Sequence, residues 1–228
     1  MNTQDVNNRF TGISDEELII LVQQKVKRKN VIHLNDYFNN PEIDPYFEEI
    51  YNRYRRRIEY YCTRFIFDRD VIPDIFHDIF IKVILNIAKF KKKNSFKAWI
   101  YAIAHNTCAN YIRNNKNLAL SLLNRRLSAE NEKSNELIDL FCSPEPGVEN
   151  KIINREINEA VEYAVAKLPV QLINVFLLKS KANLTFDEIA RIEKKSSRNI
   201  KTLYQNALQF IKNELSNKNL SLQDMKEI

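Results

Sequence analysis

The sequence predicts an all-α protein built from two small helical domains joined by a flexible linker. Apolar residues recur three or four apart along nearly every periodic segment, which puts them on one face of a helix. Only two glycines, Gly12 and Gly147, occur among 228 residues, too few for the tight hairpins of a β-rich fold, where glycine supplies positive φ. No strand candidate and no internal repeat stands out. The length falls between one large domain and two small ones, at about 100–200 residues per domain. With 44% hydrophobic residues, the chain has the material for a buried core.

From Pro45 to Phe67 the residues Phe47, Ile50, Tyr51, Tyr54, Ile58 and Tyr61 form one apolar stripe, and Arg53, Arg55, Arg56 and Arg57 occupy the opposite side. Asp68 or Asp70 marks a break. Pro73 then suits a first helical turn, where its missing N–H is not needed. The next helix, about 73–89, buries Phe76, Phe80, Val83, Ile84 and Ile87. A basic loop follows, KFKKKNSFK at 89–97, with five lysines and no acid. Ser95 is a candidate N-cap for a helix from Phe96 to about Asn114, with Trp99, Ile100, Ile103, Ala104 and Ile112 as its apolar positions. The polar and basic stretch 25–46 suits an excursion on the surface.

Over 117–151 the pattern weakens and ends in Ser-Pro-Glu-Pro-Gly, which breaks helices and marks turns. This stretch reads as a linker. Helical periodicity returns from Ile152 to about Leu215. Within it Thr185 precedes FDEIARIE with Glu188 three residues on, the spacing of a capping box. After the polar break KKSS, Ile200, Leu203, Tyr204, Ala207, Leu208 and Ile211 make an apolar stripe. The outward face of that helix presents Ser197, Arg198, Lys201, Thr202, Gln205 and Asn206, types that reach phosphates and base edges in a major groove. A second helix with such a face is what helix-turn-helix docking requires. An ordinary amphipathic hairpin with a solvated face has the same pattern.

Composition narrows the function classes. Scarce glycine argues against phosphate-cradling loops and so against most nucleotide-binding enzymes. Cys62, Cys108 and Cys142 are odd in number and lack a CxxC pair, which reads as a reducing compartment without a disulfide framework or cysteine metal site. His33, His77 and His105 are scattered. His105 and Cys108 share a helix face, but spacing places no further ligands beside them, and Asp74 and Asp78 lack a Glu-x-x-His partner helix. No catalytic residue, metal or cofactor is expected. No apolar leader or run of about 18 apolar residues is visible, so the expectation is a soluble, cytoplasmic protein with no membrane span. The net charge of +6 matters where it clusters, as it does at 89–97.

Taken together, the two halves resemble the sigma factors of bacterial RNA polymerase, in their extracytoplasmic-function (ECF) branch. DIFHDIFIKVILNIAKFKKKNSFKAWIYAIAHNTCANYIR at 74–113 is similar to the family's region 2. LPVQLINVFLLKSKANLTFDEIARIEKKSSRNIKTLYQNALQFIKNEL at 168–215 is similar to region 4. SDEELIILVQQ and FEEIYNRYRRRIEYYCTRFIFDRD fit the start of region 2. The resemblance implies an extension at 1–13, region 2 at 14–116, the linker at 117–151, region 4 at 152–216 and a polar tail at 217–228.

It further implies that Asp74, His77 and Asp78 dock on the polymerase core, with His77 and Asp78 standing where glutamine and glutamate are usual. Lys91, Lys92, Lys93, Asn94, Ser95, Asn106, Asn110 and Arg113 would engage the −10 promoter element as it melts. Positive charge suits the backbone of an unwound strand, and asparagine can bond bidentately to a base edge. Trp99 has the chemistry to stack on a base, but it falls in step with Ile103 as a core position. Ser197, Arg198, Lys201, Thr202, Gln205 and Asn206 would contact the −35 element as duplex. Leu203 and Asn206 stand where arginine is frequent, and Glu193, Lys194 and Lys195 occupy a turn that usually holds a small residue or glycine. The implied partners are core polymerase, promoter DNA in duplex and melted form, and an anti-sigma factor of the kind that often holds such proteins. The competing reading is a stand-alone helix-turn-helix regulator that acts as a dimer on two half-sites.

Overall fold

The computed structural model describes residues 10, 12–29, 44–66, 68–91, 95–115 and 160–217. The linker 117–151, Lys92, Lys93 and Asn94, and residues 218–228 of the tail lie outside them. Among the described residues every regular element is helical. The chain divides into two compact units, Met1–Asn114 and Asn115–Ile228.

The N-terminal unit holds α1 (Asp15–Lys29), α2 (Asp44–Thr63), α3 (Ile72–Asn86) and α4 (Phe96–Asn114). Ser14 starts α1 with a reciprocal cap. Its Oγ accepts the Glu17 N–H at 3.3 Å, and the Glu17 carboxylate accepts the Ser14 N–H at 2.9 Å. That satisfies donors every helix start leaves unpaired. α1 continues through Lys29 with Val26 buried, and α2 opens at Asp44. Both ends of the stretch expected to be an excursion are therefore helical. The Tyr46 ring packs against Phe10 with centroids 5.1 Å apart.

α2 buries Phe47, Ile50, Tyr54, Ile58 and Tyr61, the stripe expected from spacing. It stops at Thr63, short of Phe67, and turns back through Arg64 and Phe65, whose N–H groups bond to Tyr61 and Cys62 carbonyls. Asp68 then accepts the Asp70 N–H at 3.1 Å, forming the break before α3. Pro73 sits in the first turn of α3. That helix gives way to a 3-10 turn at Ile87–Lys89, so the segment expected to be one helix to 89 tightens at its end. Aromatic edges join the layers: Tyr51 meets Phe76 and Phe80 with centroids 5.1 and 5.0 Å apart, and Tyr54 meets Phe96 at 5.5 Å. Such pairs add about 0.5–1.5 kcal/mol beyond their burial.

The C-terminal unit holds α5 (Val170–Phe176), which widens into a π turn at Leu177–Lys181, then α6 (Phe186–Glu193) and α7 (Ser197–Asn217). The expected capping box is present. Thr185 Oγ1 accepts the Glu188 N–H at 3.3 Å and the Glu188 carboxylate accepts the Thr185 N–H at 2.7 Å. α7 buries Ile200, Ala207, Ile211 and Leu215. Leu203 and Tyr204 are half-buried, and Leu208 is 44% exposed. The stripe is thus narrower than the sequence suggested and runs one turn further, to Leu215.

Candidate nucleic-acid and polymerase interfaces

In the N-terminal unit, α3 turns Ile75, Phe76, Ile79, Phe80, Val83 and Ile84 inward. Asp74, His77 and Asp78 are all exposed. Spacing of three and four extends that face through half-buried Ile81 to exposed Leu85, so the acidic end of the stripe leads into an apolar one.

α4 carries the candidate base-reading residues. Ser95 caps it, its Oγ accepting the Ala98 N–H at 3.2 Å. Its position is half-buried, while Lys91 is exposed. Asn106, Asn110 and Arg113 are exposed and lie at i, i+4 and i+7, one line along the helix. The inner side is formed by Phe96, Ile100, Tyr101, Ala104, Thr107 and Cys108. Trp99, Ile103 and Ile112, expected as core positions, are half-buried. The Trp99 ring packs against Phe90 and Phe96, with centroids 5.5 and 5.6 Å apart. Lys92, Lys93 and Asn94 lie outside the described residues.

Polar contacts behind that face fix its helix. Tyr61 Oη lies 3.3 Å from His105 Nδ1, and Lys82 Nζ donates to Thr107 Oγ1 at 3.1 Å. The buried Cys62 and Cys108 sulfurs are 3.5 Å apart as free thiols. Spacing alone could not pair two cysteines so far apart in sequence. The bond to Cys108, together with burial, pushes the Cys62 thiol well above its ordinary range. Burial pushes the Tyr101 phenol up to about 12.

Arg53 corrects the sequence reading, which placed it with the outward arginines. Its guanidinium donates to the Ile13 carbonyl at 2.9 Å, the Phe10 carbonyl at 3.1 Å, Asp15 at 2.9 Å and Glu49 at 2.6 Å. Tyr54 Oη donates to the other Asp15 oxygen. Desolvation opposes the charge on Arg53, but the two carboxylates outweigh it and its pKa rises. Burial, then the Asp15 charge, drives the Tyr54 phenol far upward. The planar fork of arginine explains how one side chain joins two helices and the segment before α1. Arg55, Arg56 and Arg57 are exposed as expected.

In the C-terminal unit, α6 and α7 form the expected helix-turn-helix. Lys194 takes the left-handed conformation at φ 53°, and the Lys195 N–H returns to the Ala190 carbonyl at 3.0 Å. This closes α6 as glycine would, without the glycine. Behind the turn, the amide of buried Asn174 donates to Glu193, whose other oxygen pairs with Lys195 at 3.0 Å. That tie was invisible to periodicity, because it joins residues on different helices.

Of the candidate −35 residues, Arg198, Lys201, Thr202, Gln205 and Asn206 are exposed along α7. Ser197 is half-buried and its hydroxyl donates to Asp187, while Thr202 Oγ1 donates to the Arg198 carbonyl at 3.2 Å. Those two hydroxyls serve the hairpin itself. The exposed cationic and amide side chains form a face able to meet phosphates and base edges.

Among the described residues, no cluster of three or more His, Cys, Asp or Glu is placed to hold a metal ion, and no helix is long and apolar enough to cross a membrane. Residues 50–130 match the family described as Sigma-70 region 2. The chain is 27% identical over 150 residues to the ECF RNA polymerase sigma-E factor of Haemophilus influenzae, covering 64% of this chain and 75% of that protein. It is 28% identical over 140 residues to the corresponding factor of Escherichia coli K12, covering 61% and 71%. The solved structure of CnrH in complex with the cytosolic domain of CnrY is similar in fold, with a TM-score of 0.53 at 13% identity over 89% of this chain and 97% of that one. By its region 2 match, by its curated relatives and by its helical fold, the chain is similar to the sigma-70 factors, in their ECF group.

Proposed function

We propose that this sigma factor assigns its contacts in transcription initiation to three faces. The α3 face of Asp74, His77 and Asp78, extended by Leu85, docks on core polymerase. The α4 line of Asn106, Asn110 and Arg113, with Lys91 to Ser95, grips the melted −10 strand. The α7 face of Arg198, Lys201, Gln205 and Asn206 lies on the −35 duplex, with Ser197 and Thr202 shaping the hairpin. In this reading 14–116 is region 2, 152–216 is region 4 and 117–151 links them, between the extension 1–13 and the tail 217–228. The protein works in the cytoplasm and contributes binding energy that favours the opened promoter, while the polymerase performs the chemistry. Its contacts to phosphates weaken with salt as counterions are displaced. The proposal includes an anti-sigma partner, for which CnrH bound to the cytosolic domain of CnrY offers the analogy.

The observation that carries this is the division of labour on α3 and α4 within the region 2 match. Each buries one side and leaves the named polar residues exposed. The experiment adds purified protein to sigma-free core polymerase and measures association and promoter-dependent transcripts. Changing Asp74, His77 and Asp78 together to alanine is expected to abolish both, because none of the three supports the core. Tight binding to duplex DNA as a dimer, without association with core, would overturn the reading in favour of a stand-alone regulator.

A further inference from the structure

Two side chains of α1 reach the connection between α3 and α4 from one side. Gln23 Nε2 donates to the carbonyls of Ile87 at 2.7 Å and Phe90 at 2.8 Å. Glu16 Oε1 accepts the backbone N–H of Phe96 at 3.0 Å. The residues are seven apart, hence on one face of α1 and about 10 Å apart along its axis. Their partners are groups that helix ends leave to outside donors and acceptors. Ile87 and Phe90 belong to the turn that ends α3, and Phe96 is the first residue of α4. A carboxylate at that N-terminus also meets the positive end of the helix dipole. Phe90 and Phe96 are themselves buried, with centroids 5.6 Å apart. Both flanks of Lys91–Ser95 are thereby tied to the same rigid helix.

We propose that Glu16 and Gln23 are positioning residues for promoter melting. Resting on the reading that region 2 grips the −10 strand, the inference gives α1 the task of fixing where the basic connection leaves α3 and where it enters α4. Ends held in place spare the strand part of the ordering cost of binding, and that is affinity gained without a DNA contact. Neither residue belongs to the docking face on α3 or the reading line on α4.

The test uses holoenzyme assembled on core polymerase and a template that the wild-type holoenzyme selects from a random-sequence library. Gln23→Glu keeps shape but turns a donor into an acceptor facing two carbonyls. Glu16→Ala removes the acceptor, and Glu16→Gln retains one. Core affinity and permanganate-detected strand opening are read in parallel, together with binding of the selected −10 strand as a single-stranded oligonucleotide. Gln23→Glu and Glu16→Ala are expected to lower opening and strand binding about tenfold, the scale of one charged or doubly used hydrogen bond. Core affinity should stay unchanged, and Glu16→Gln, which keeps the hydrogen bond but not the charge, should lose less than Glu16→Ala. Wild-type opening in both disruptive variants overturns the proposal, as does a parallel loss of core affinity, which marks a merely structural role. A wild-type holoenzyme that selects no template sinks the promoter reading itself, and does so before any variant is compared.

Discussion

The two units hold their candidate reading helices in different ways. In the N-terminal unit α4 is tied at its start by Glu16, midway through the Tyr61–His105 and Lys82–Thr107 contacts, and by the Cys62–Cys108 thiol pair. Those tethers come from three other helices. In the C-terminal unit α7 is secured by a narrow apolar stripe and by polar ties at Ser197 to Asp187, Tyr204 to Ser180 at 3.2 Å, and Glu214 to Lys167 at 3.2 Å. The difference fits the tasks proposed for them. Gripping an unwound strand calls for a preorganised surface, whereas a helix entering a major groove needs chiefly to present its outer face.

Alkaline pH should break the symmetry most strongly. Tyr54 and Tyr101 both ionise above their ordinary value of 10 because they are buried. The unfolded chain releases these protons first, so the folded state is fully favoured below pH 10 and loses stability as pH rises, up to about 12 for Tyr101. Each phenol costs about 1.4 kcal/mol at one pH unit above its unfolded value, and the Cys62 thiol acts in the same direction. Trp99 is the single tryptophan, so its fluorescence during urea unfolding at pH 8 and pH 11 reports the N-terminal unit alone. An unfolding midpoint that does not move would show that burial of these groups is not what holds them neutral.

Arg53→Ala tests the hub that spacing misassigned. It leaves Asp15 and two backbone carbonyls without their shared donor, and the expected loss is about 2–3 kcal/mol, again read through Trp99. Arg56→Ala, on the exposed side of the same helix, should change stability by less than about 0.5 kcal/mol. Equal effects would return Arg53 to the solvated face.

The capping boxes then allow a matched comparison, since Ser14 with Glu17 and Thr185 with Glu188 have the same geometry in different units. Ser14→Ala and Thr185→Ala should each cost about 1 kcal/mol. Ser14 adjoins Ile13 and Asp15, both held by Arg53, so the loss there should spread through the α1–α2 junction. At Thr185 it should stay within α6. Hydrogen exchange of amides in each helix separates the two outcomes.

What could be read in advance follows a physical division. Helix α4 from Phe96 to Asn114, the Thr185 cap, the turn at Pro73 and the exposed trio on α3 depend on local spacing and capping chemistry, and sequence carries those directly. Arg53, the Gln23 and Glu16 tethers, the Cys62–Cys108 contact and Asn174–Glu193 depend on which helices meet, and no periodicity encodes that. The width of the α7 stripe departs from its periodicity for the same reason. Leu208 has an apolar side chain at a helical interval, but nothing among the described residues of the C-terminal unit covers it fully. Likewise apolar spacing predicts regular helix to the end of α3, because a 3-10 turn keeps nearly the same spacing.

The turn between α6 and α7 gives the smallest effect and the sharpest contrast between local and tertiary control. Lys194 holds φ at 53°, where a side chain's Cβ crowds the following carbonyl at a cost of about 1–2 kcal/mol, and where glycine is unstrained. Lys194→Gly should therefore stabilise the C-terminal unit, by about 0.5–1 kcal/mol once glycine's greater freedom in the unfolded chain is set against the relieved strain. The gain should appear as slower hydrogen exchange in α6 and α7 with no change in Trp99 fluorescence. If the Lys194 charge serves the DNA contact proposed for α7, the same variant should bind duplex DNA more weakly and show a salt slope shallower by about one unit. Stabilisation with unchanged DNA affinity would instead mean that Glu193, tied to Asn174 and Lys195, determines the turn, and that the lysine is tolerated there because those contacts already hold the backbone.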